Sequence, residues 1–223
     1  MVIIVGAALA FVYQALKPAQ DENIANDKRQ QILSAIHVTA PEGSVGETYE
    51  KYITDAFLTD AEGNRNEGDA FAVNMAGEVK KDGTERMLPV FEATTDEGET
   101  VYVLPVYGAG LWGPIWGYVA VKDDGDSIYG AYFSHSGETP GLGAEISTEN
   151  FQKQFVGKEL YKDGKFLSVD VMKAGQKPID GSDYVDAISG GTITSKGVES
   201  MLGDCLRYYD AFLSKLQTAQ SEK

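Results

Sequence analysis

Residues 186–195 read Asp-Ala-Ile-Ser-Gly-Gly-Thr-Ile-Thr-Ser. Immediately after them, Val198, Met201, Leu202, Cys205, Leu206, Tyr209, Phe212, Leu213 and Leu216 recur at helix spacing and predict one amphipathic helix. The Gly/Ser/Thr cluster therefore falls at a helix N-terminus. Free backbone N–H groups and the positive end of the helix dipole suit a phosphate there. A plainer reading is a capped helix after a turn, with Thr194 or Ser195 as N-cap. Both readings stand on the residues alone.

Composition narrows the classes. A chain of 223 residues buries one good core, with room for an appendage. Hydrophobic residues make up 43% and charged residues 24%, an ordinary globular balance. The net charge of −15 argues against nucleic acid, which needs clustered Lys and Arg, and against charge-driven adhesion to anionic lipid. The single cysteine, Cys205, excludes an intramolecular disulfide and a cysteine-based zinc or iron–sulfur centre. It lies on the apolar stripe and reads as core. Two histidines, His37 and His135, are too few for a His-rich metal site.

The first residues differ from all that follow. Residues 1–13 carry no charged or strongly polar side chain, and Lys17 is the first charge. A bilayer-spanning helix needs roughly 20 apolar residues, so the run is short. A signal peptide, a buried core helix, and a transmembrane anchor whose first turns precede Met1 all compete. The residues do not fix a membrane side, because one lysine is too little for a positive-inside count.

Pro18 is expected to end this first segment. A helix is expected over 24–38, with Asp21 or Asn23 as cap, then a short helix from about Gly46 and a turn at Gly63-Asn64. Strands are predicted over 70–73, 88–93, 101–106, 118–121 and 127–134. Residues 165–172 alternate, placing Leu167, Val169 and Val171 on one face, and a helix over 148–155 carries Phe151 and Phe155 at i, i+4. Strands in runs broken by helices indicate an α+β fold rather than a βαβ alternation.

Two further segments are rich in glycine. Residues 135–145 read His-Ser-Gly-Glu-Thr-Pro-Gly-Leu-Gly-Ala-Glu, a turn whose glycines let backbone approach a flat ligand. Residues 107–118 hold both tryptophans among four glycines. Aromatic density of this kind packs a core or an interface. Trp116 is assigned to the core.

Asp186-x-x-Ser189-Gly190-Gly191-Thr192 resembles the flavinylation signature Asp-x-x-(Ser/Thr)-Gly-Ala-Thr. That signature belongs to FMN-binding domains of the C subunit of the Na+-translocating NADH:quinone oxidoreductase and of the related Rnf G subunit. Glu138-Thr139-Pro140-Gly141-Leu142-Gly143 resembles the second signature of the same family, and Gly110-Leu111-Trp112 resembles its aromatic segment. The three stand in the family's order.

The resemblance implies an FMN joined through a phosphoester to Thr192. Ser189, Gly190, Gly191 and Thr194 would surround the phosphate, and Glu138, Thr139, Leu142 and Gly143 would lie against the ring. It places Trp112 near the flavin and Lys173 near the phosphate. His135 either reaches the flavin edge or is a satisfied surface histidine. Asp186 serves recognition by a flavin transferase, through that enzyme's magnesium, or simply forms a turn. Gly191 departs from the family's Ala, and the lost methyl is expected to loosen the loop.

The fold so implied is an antiparallel or mixed sheet flanked by helices. Residues 1–17 would form a membrane anchor, 18–68 a helical and irregular region, and 69–220 the FMN-binding domain. The implied function is a membrane-anchored electron carrier in a sodium-pumping complex that reduces quinone, with the soluble part outside the cytoplasm. Its partners would be the other subunits and the flavin transferase. Gly108-x-Gly110-x-x-Gly113 follows a predicted strand but leads into another predicted strand and opens no helix, so it is not a dinucleotide fingerprint and the chain should not oxidise NADH by itself. Two other readings are a Rnf-type or stand-alone extracytoplasmic flavin module, and a tethered interaction domain without cofactor.

Overall fold

A computed structural model describes residues 2–221; Met1, where the apolar run begins, lies outside them. The chain opens with α1 (Val2–Ala35), one helix of 34 residues. Pro18 lies inside it rather than at its end, so Asp21 and Asn23 are not caps. A proline removes one hydrogen bond, at a cost of about 3 kcal/mol, and helical residues on both sides propagate through it cooperatively. The N-terminal part of α1 stands clear of the rest of the fold. Its most apolar 18-residue window has a mean hydropathy of 1.7, and none of that window is buried.

The C-terminal end of α1 does the opposite. Ile32, Leu33, Ala35 and Ile36 are fully or nearly fully buried. The helix stops three residues before the expected position 38, in a Schellman arrangement. Val38 N–H donates to Leu33 O (3.0 Å), and His37 N–H donates to Ser34 O (3.1 Å). His37 occupies the left-handed position at φ 61°, with its Nε2 3.1 Å from Tyr129 O.

α2 (Val45–Tyr52) runs directly into β1 (Ile53–Thr59). The sequence reading missed this strand, because the tyrosines of α2 continue into its apolar pattern without a turn residue between them. β2 (Arg65–Asn66) pairs with it after the expected turn at Gly63. Residues 70–73, expected as a strand, form a 3-10 turn instead (Ala70–Ala72), where the Asp69 side chain accepts from Ala72 N–H. α3 (Met75–Glu78) follows.

β3 (Leu88–Thr94), β4 (Thr100–Ala109), β5 (Pro114–Lys122) and β6 (Ile128–His135) complete a six-stranded sheet of order β2-β1-β3-β4-β5-β6. Every pairing in it is antiparallel. Successive strand side chains point to opposite faces, and the sheet uses both. Phe91, Val103, Tyr118 and Ala120 meet α1 on one face. Val90, Leu104, Val106 and Val119 meet the C-terminal helices on the other.

α4 (Glu149–Gln152) continues as a 3-10 turn, and Phe151 and Phe155 stack edge-on as the i, i+4 spacing requires. β7 (Tyr161–Lys162) and β8 (Lys165–Phe166) form a small hairpin. β9 (Val169–Met172) pairs in parallel with β10 (Asp183–Asp186). The single strand expected over 165–172 is thus two. Ser168 takes φ 65° and breaks the alternation, so Phe166, Val169 and Val171 are buried while Leu167 is only half-buried.

The C-terminal stripe is also split, into α5 (Thr192–Tyr208) and α6 (Asp210–Ser221). Tyr209 sits at the break, fully buried, with its hydroxyl donating to Pro89 O at 2.9 Å. Bonding to that carbonyl satisfies the one polar atom of an otherwise apolar side chain.

Candidate flavin site

Gly191 is the N-cap of α5, and Thr192 is its first helical residue. Gly190 sits at φ 76°, a conformation that favours glycine. The helix therefore starts earlier than a Thr194 or Ser195 cap would require. Both hydroxyls face inward instead. Thr194 is 1% exposed and donates through Oγ1 to Glu138 Oε2 at 2.6 Å. Ser195 is fully buried, and its Oγ accepts from Ile188 N–H at 3.1 Å. No side chain caps the first turn, whose N–H groups carry the positive end of the dipole.

Thr192 itself is exposed and lines a cavity of about 620 Å3. Ser189 and Gly190 line it from the loop, and Lys173 from the end of β9. Met172 and Ile188 give it apolar walls. The charged side chains among its described lining residues are Lys173 and Lys196, both cationic. Lys196 is itself paired with Glu199 at 2.8 Å, so the excess of positive charge along this lining comes from Lys173.

Glu138 joins the three sequence segments. It is 5% exposed, and its carboxylate accepts from Trp112 N–H (2.9 Å) as well as from Thr194. Its own N–H donates to His135 Nδ1 at 3.1 Å, which puts the imidazole proton on Nε2. Gly143 makes room for this contact. A Cβ there would come within 2.4 Å of both Glu138 Oε2 and Thr194 Oγ1.

Trp112 stands at the tip of the β4–β5 hairpin, 67% exposed, beside the exposed Leu111. Leu142 is exposed and abuts the loop, since a Cβ on Gly190 would meet its Cδ2 at 2.7 Å. Thr139 is exposed, and its carbonyl accepts from Leu142 N–H and Ala144 N–H at 3.1 Å each. Trp116 is half-buried on the α1 side, where its indole N–H donates to Gln31 Oε1 at 3.0 Å, so it is packing at the edge of that face rather than full core. Asp186 is exposed at the end of β10, with its N–H bonded to Gln154 Oε1 at 2.9 Å.

Gly191 does not leave the slack expected of a missing methyl. It is buried, and a Cβ there would lie 3.0 Å from Ile188 Cγ2 and 3.3 Å from Gly143 N. The Ile188 side chain and the Gly143 backbone occupy the space. The residue that sequence reasoning missed is Lys196. Its signal was available: it lies four residues after Thr192 on a predicted helix, hence on the same face. The strand β10, which leads into the loop, was less legible, because Tyr184-Val185 is a short run between aspartates.

The profile of the FMN-binding domain family matches residues 110–207, a span that begins at the β4–β5 tip and ends within α5. Residues 110–207 are therefore an FMN-binding domain. The C subunit of the Na(+)-translocating NADH-quinone reductase of Haemophilus ducreyi is 35% identical over 201 residues, covering 83% of this chain and 77% of that one. Its counterpart in Pseudomonas aeruginosa is 31% identical, over 99% and 92% of the two chains. The crystal structure of the C subunit from Parabacteroides distasonis superposes with a TM-score of 0.84 at 48% identity, covering 89% of this chain and 97% of that one. Shewanella oneidensis NqrC follows at 0.72 and 26%, over 88% and 99% of the two chains. The chain belongs to the NqrC family, the C subunits of Na(+)-translocating NADH-quinone reductases.

Proposed function

We propose that this chain is the membrane-anchored, flavin-carrying subunit of a sodium-pumping NADH:quinone reductase, with FMN esterified through its phosphate to Thr192. One observation carries the assignment. Thr192 is exposed and lines a cavity bordered by Lys173 and Lys196, whereas the Thr194 hydroxyl is buried and bonded to Glu138. Of the two threonines, only Thr192 has a free path to a phosphate donor. The residues present fit the group: a helix N-terminus, Lys173 and the Glu199-paired Lys196 beside the phosphodiester, and exposed Trp112 and Leu142 for a flat ring.

FMN bound there supplies electron transfer that no side chain of this protein offers. The chain's own part is positional. The ester would keep the cofactor from dissociating while its ring stays accessible to partner subunits. Lys173 would balance phosphate charge, and Glu138 would hold the Trp112 tip and the Leu142 turn in fixed relation to α5. Residues 1–17 serve as the anchor and 69–220 as the flavin-binding unit, on the extracytoplasmic side. Loading requires a flavin transferase, for which the exposed Asp186 is a recognition element.

The test is acid denaturation of the full chain coproduced with a flavin transferase, followed by a search for flavin fluorescence that migrates with the polypeptide. Thr192→Ala is expected to lose it. A Thr192→Ala chain that stays labelled would show the acceptor to be elsewhere.

A further inference from the structure

We infer that Lys196, preset by Glu199, is the side chain that grips the phosphodiester on Thr192. The inference rests on the covalent reading above and goes beyond it by assigning the grip to a particular cation. Thr192 and Lys196 are one helical turn apart on α5, so their Cβ atoms lie about 5–6 Å from each other on the same face. Both line the cavity, and the lysine stem is long enough to return along that face to an oxygen esterified at Thr192. The cavity's charged lining is Lys196 and Lys173 with no carboxylate among the described residues, although acids outnumber bases 34 to 19 in the chain.

Lys196 is also held in place. Its Nζ donates to both Glu199 oxygens at 2.8 Å, and Glu199 Oε2 accepts from Val171 N–H at 2.8 Å. The pair thus ties α5 to β9, the two elements that bound the cavity. An ammonium has three donors, and Glu199 uses two, which leaves one for a phosphate oxygen. Fixing a long side chain costs rotamer entropy, and Glu199 has already restricted this one before any anion is present. Lys173 stands after β9 on an exposed loop and supplies charge without the same preset geometry.

The experiment uses the full chain in detergent, coproduced with a flavin transferase, as wild type and as Thr192→Ala. Lysines are acetylated with N-hydroxysuccinimidyl acetate, and the rate at each is read by peptide mass spectrometry. Lys196 is expected to react roughly tenfold slower in the labelled wild type than in Thr192→Ala, as a charge-assisted hydrogen bond requires, while exposed Lys162 reacts equally in both. Cover by the flavin would slow acetylation too, so the 31P resonance of the labelled chain is the second readout. Lys196→Gln is expected to shift it and Lys196→Arg to restore it. A labelled chain whose Lys196 reacts as fast as in Thr192→Ala, or whose 31P resonance ignores Lys196→Gln, overturns this inference and leaves the covalent reading standing. A wild-type chain without acid-stable flavin removes both.

Discussion

Thr194 and Thr192 are two residues apart and chemically identical, yet their surroundings give them different work. Thr194→Ala keeps Thr192 on the cavity and is expected to keep acid-stable flavin on the chain. It also strips a donor from a buried carboxylate, which costs about 1–3 kcal/mol. Urea denaturation of the full chain in detergent would register this as a lower midpoint with an unchanged slope. Cys205 gives a second residue-scale expectation. Burial, the largest influence, pushes its thiol up to about 11, and its Sγ donates to Tyr107 O at 3.3 Å. A thiol raised this far is protonated at pH 8 and shielded as well. Ellman's reagent should therefore leave the native chain unmodified at pH 8 and react fully once denaturant is added.

At the scale of elements, α5 is the piece on which the site depends, and its seat on β4 is close. A Cβ on Gly197 would meet Ala109 O at 2.4 Å, a backbone atom that cannot rotate away. Gly197→Ala should lift the start of α5 off the hairpin that carries Trp112. A destabilisation of about 1–3 kcal/mol should appear as a lower melting temperature, accompanied by reduced flavin loading. The stripe from Val198 to Leu216 and the four strands β3 to β6 were legible in the sequence because apolar periodicity reports burial directly. Their boundaries were less so. The break at Tyr209 and the switch at Ser168 arise where a buried polar group or a positive φ interrupts a pattern that continues through them. The candidate site shows the same division. The three glycine-rich segments could be read one by one, but their joining through Glu138 could not, since that carboxylate bonds across 26 residues to Trp112 and 56 to Thr194.

At the scale of the whole molecule, α1 belongs to two environments. Its apolar beginning is exposed, while Ile32, Leu33 and Ile36 complete one face of the sheet. A variant lacking residues 1–17 keeps every buried residue of that face. It should fold, load flavin, and partition to the supernatant in a carbonate extraction that leaves the full chain in the membrane pellet. Retention in the pellet would refute the anchor.

Because Pro18 does not interrupt α1, the proposed anchor and the sheet share a single shaft with no swivel between them. On the proposed anchoring, the height and azimuth of the candidate flavin site above the membrane are set by counting residues. Two residues inserted after Lys17 would turn the domain by about 200° for a rise of about 3 Å, while seven would raise it about 10 Å and return it to within about 20° of its starting bearing. Copurification of partner subunits should survive the longer insertion better than the shorter one. The helix thus works as a protractor for the complex.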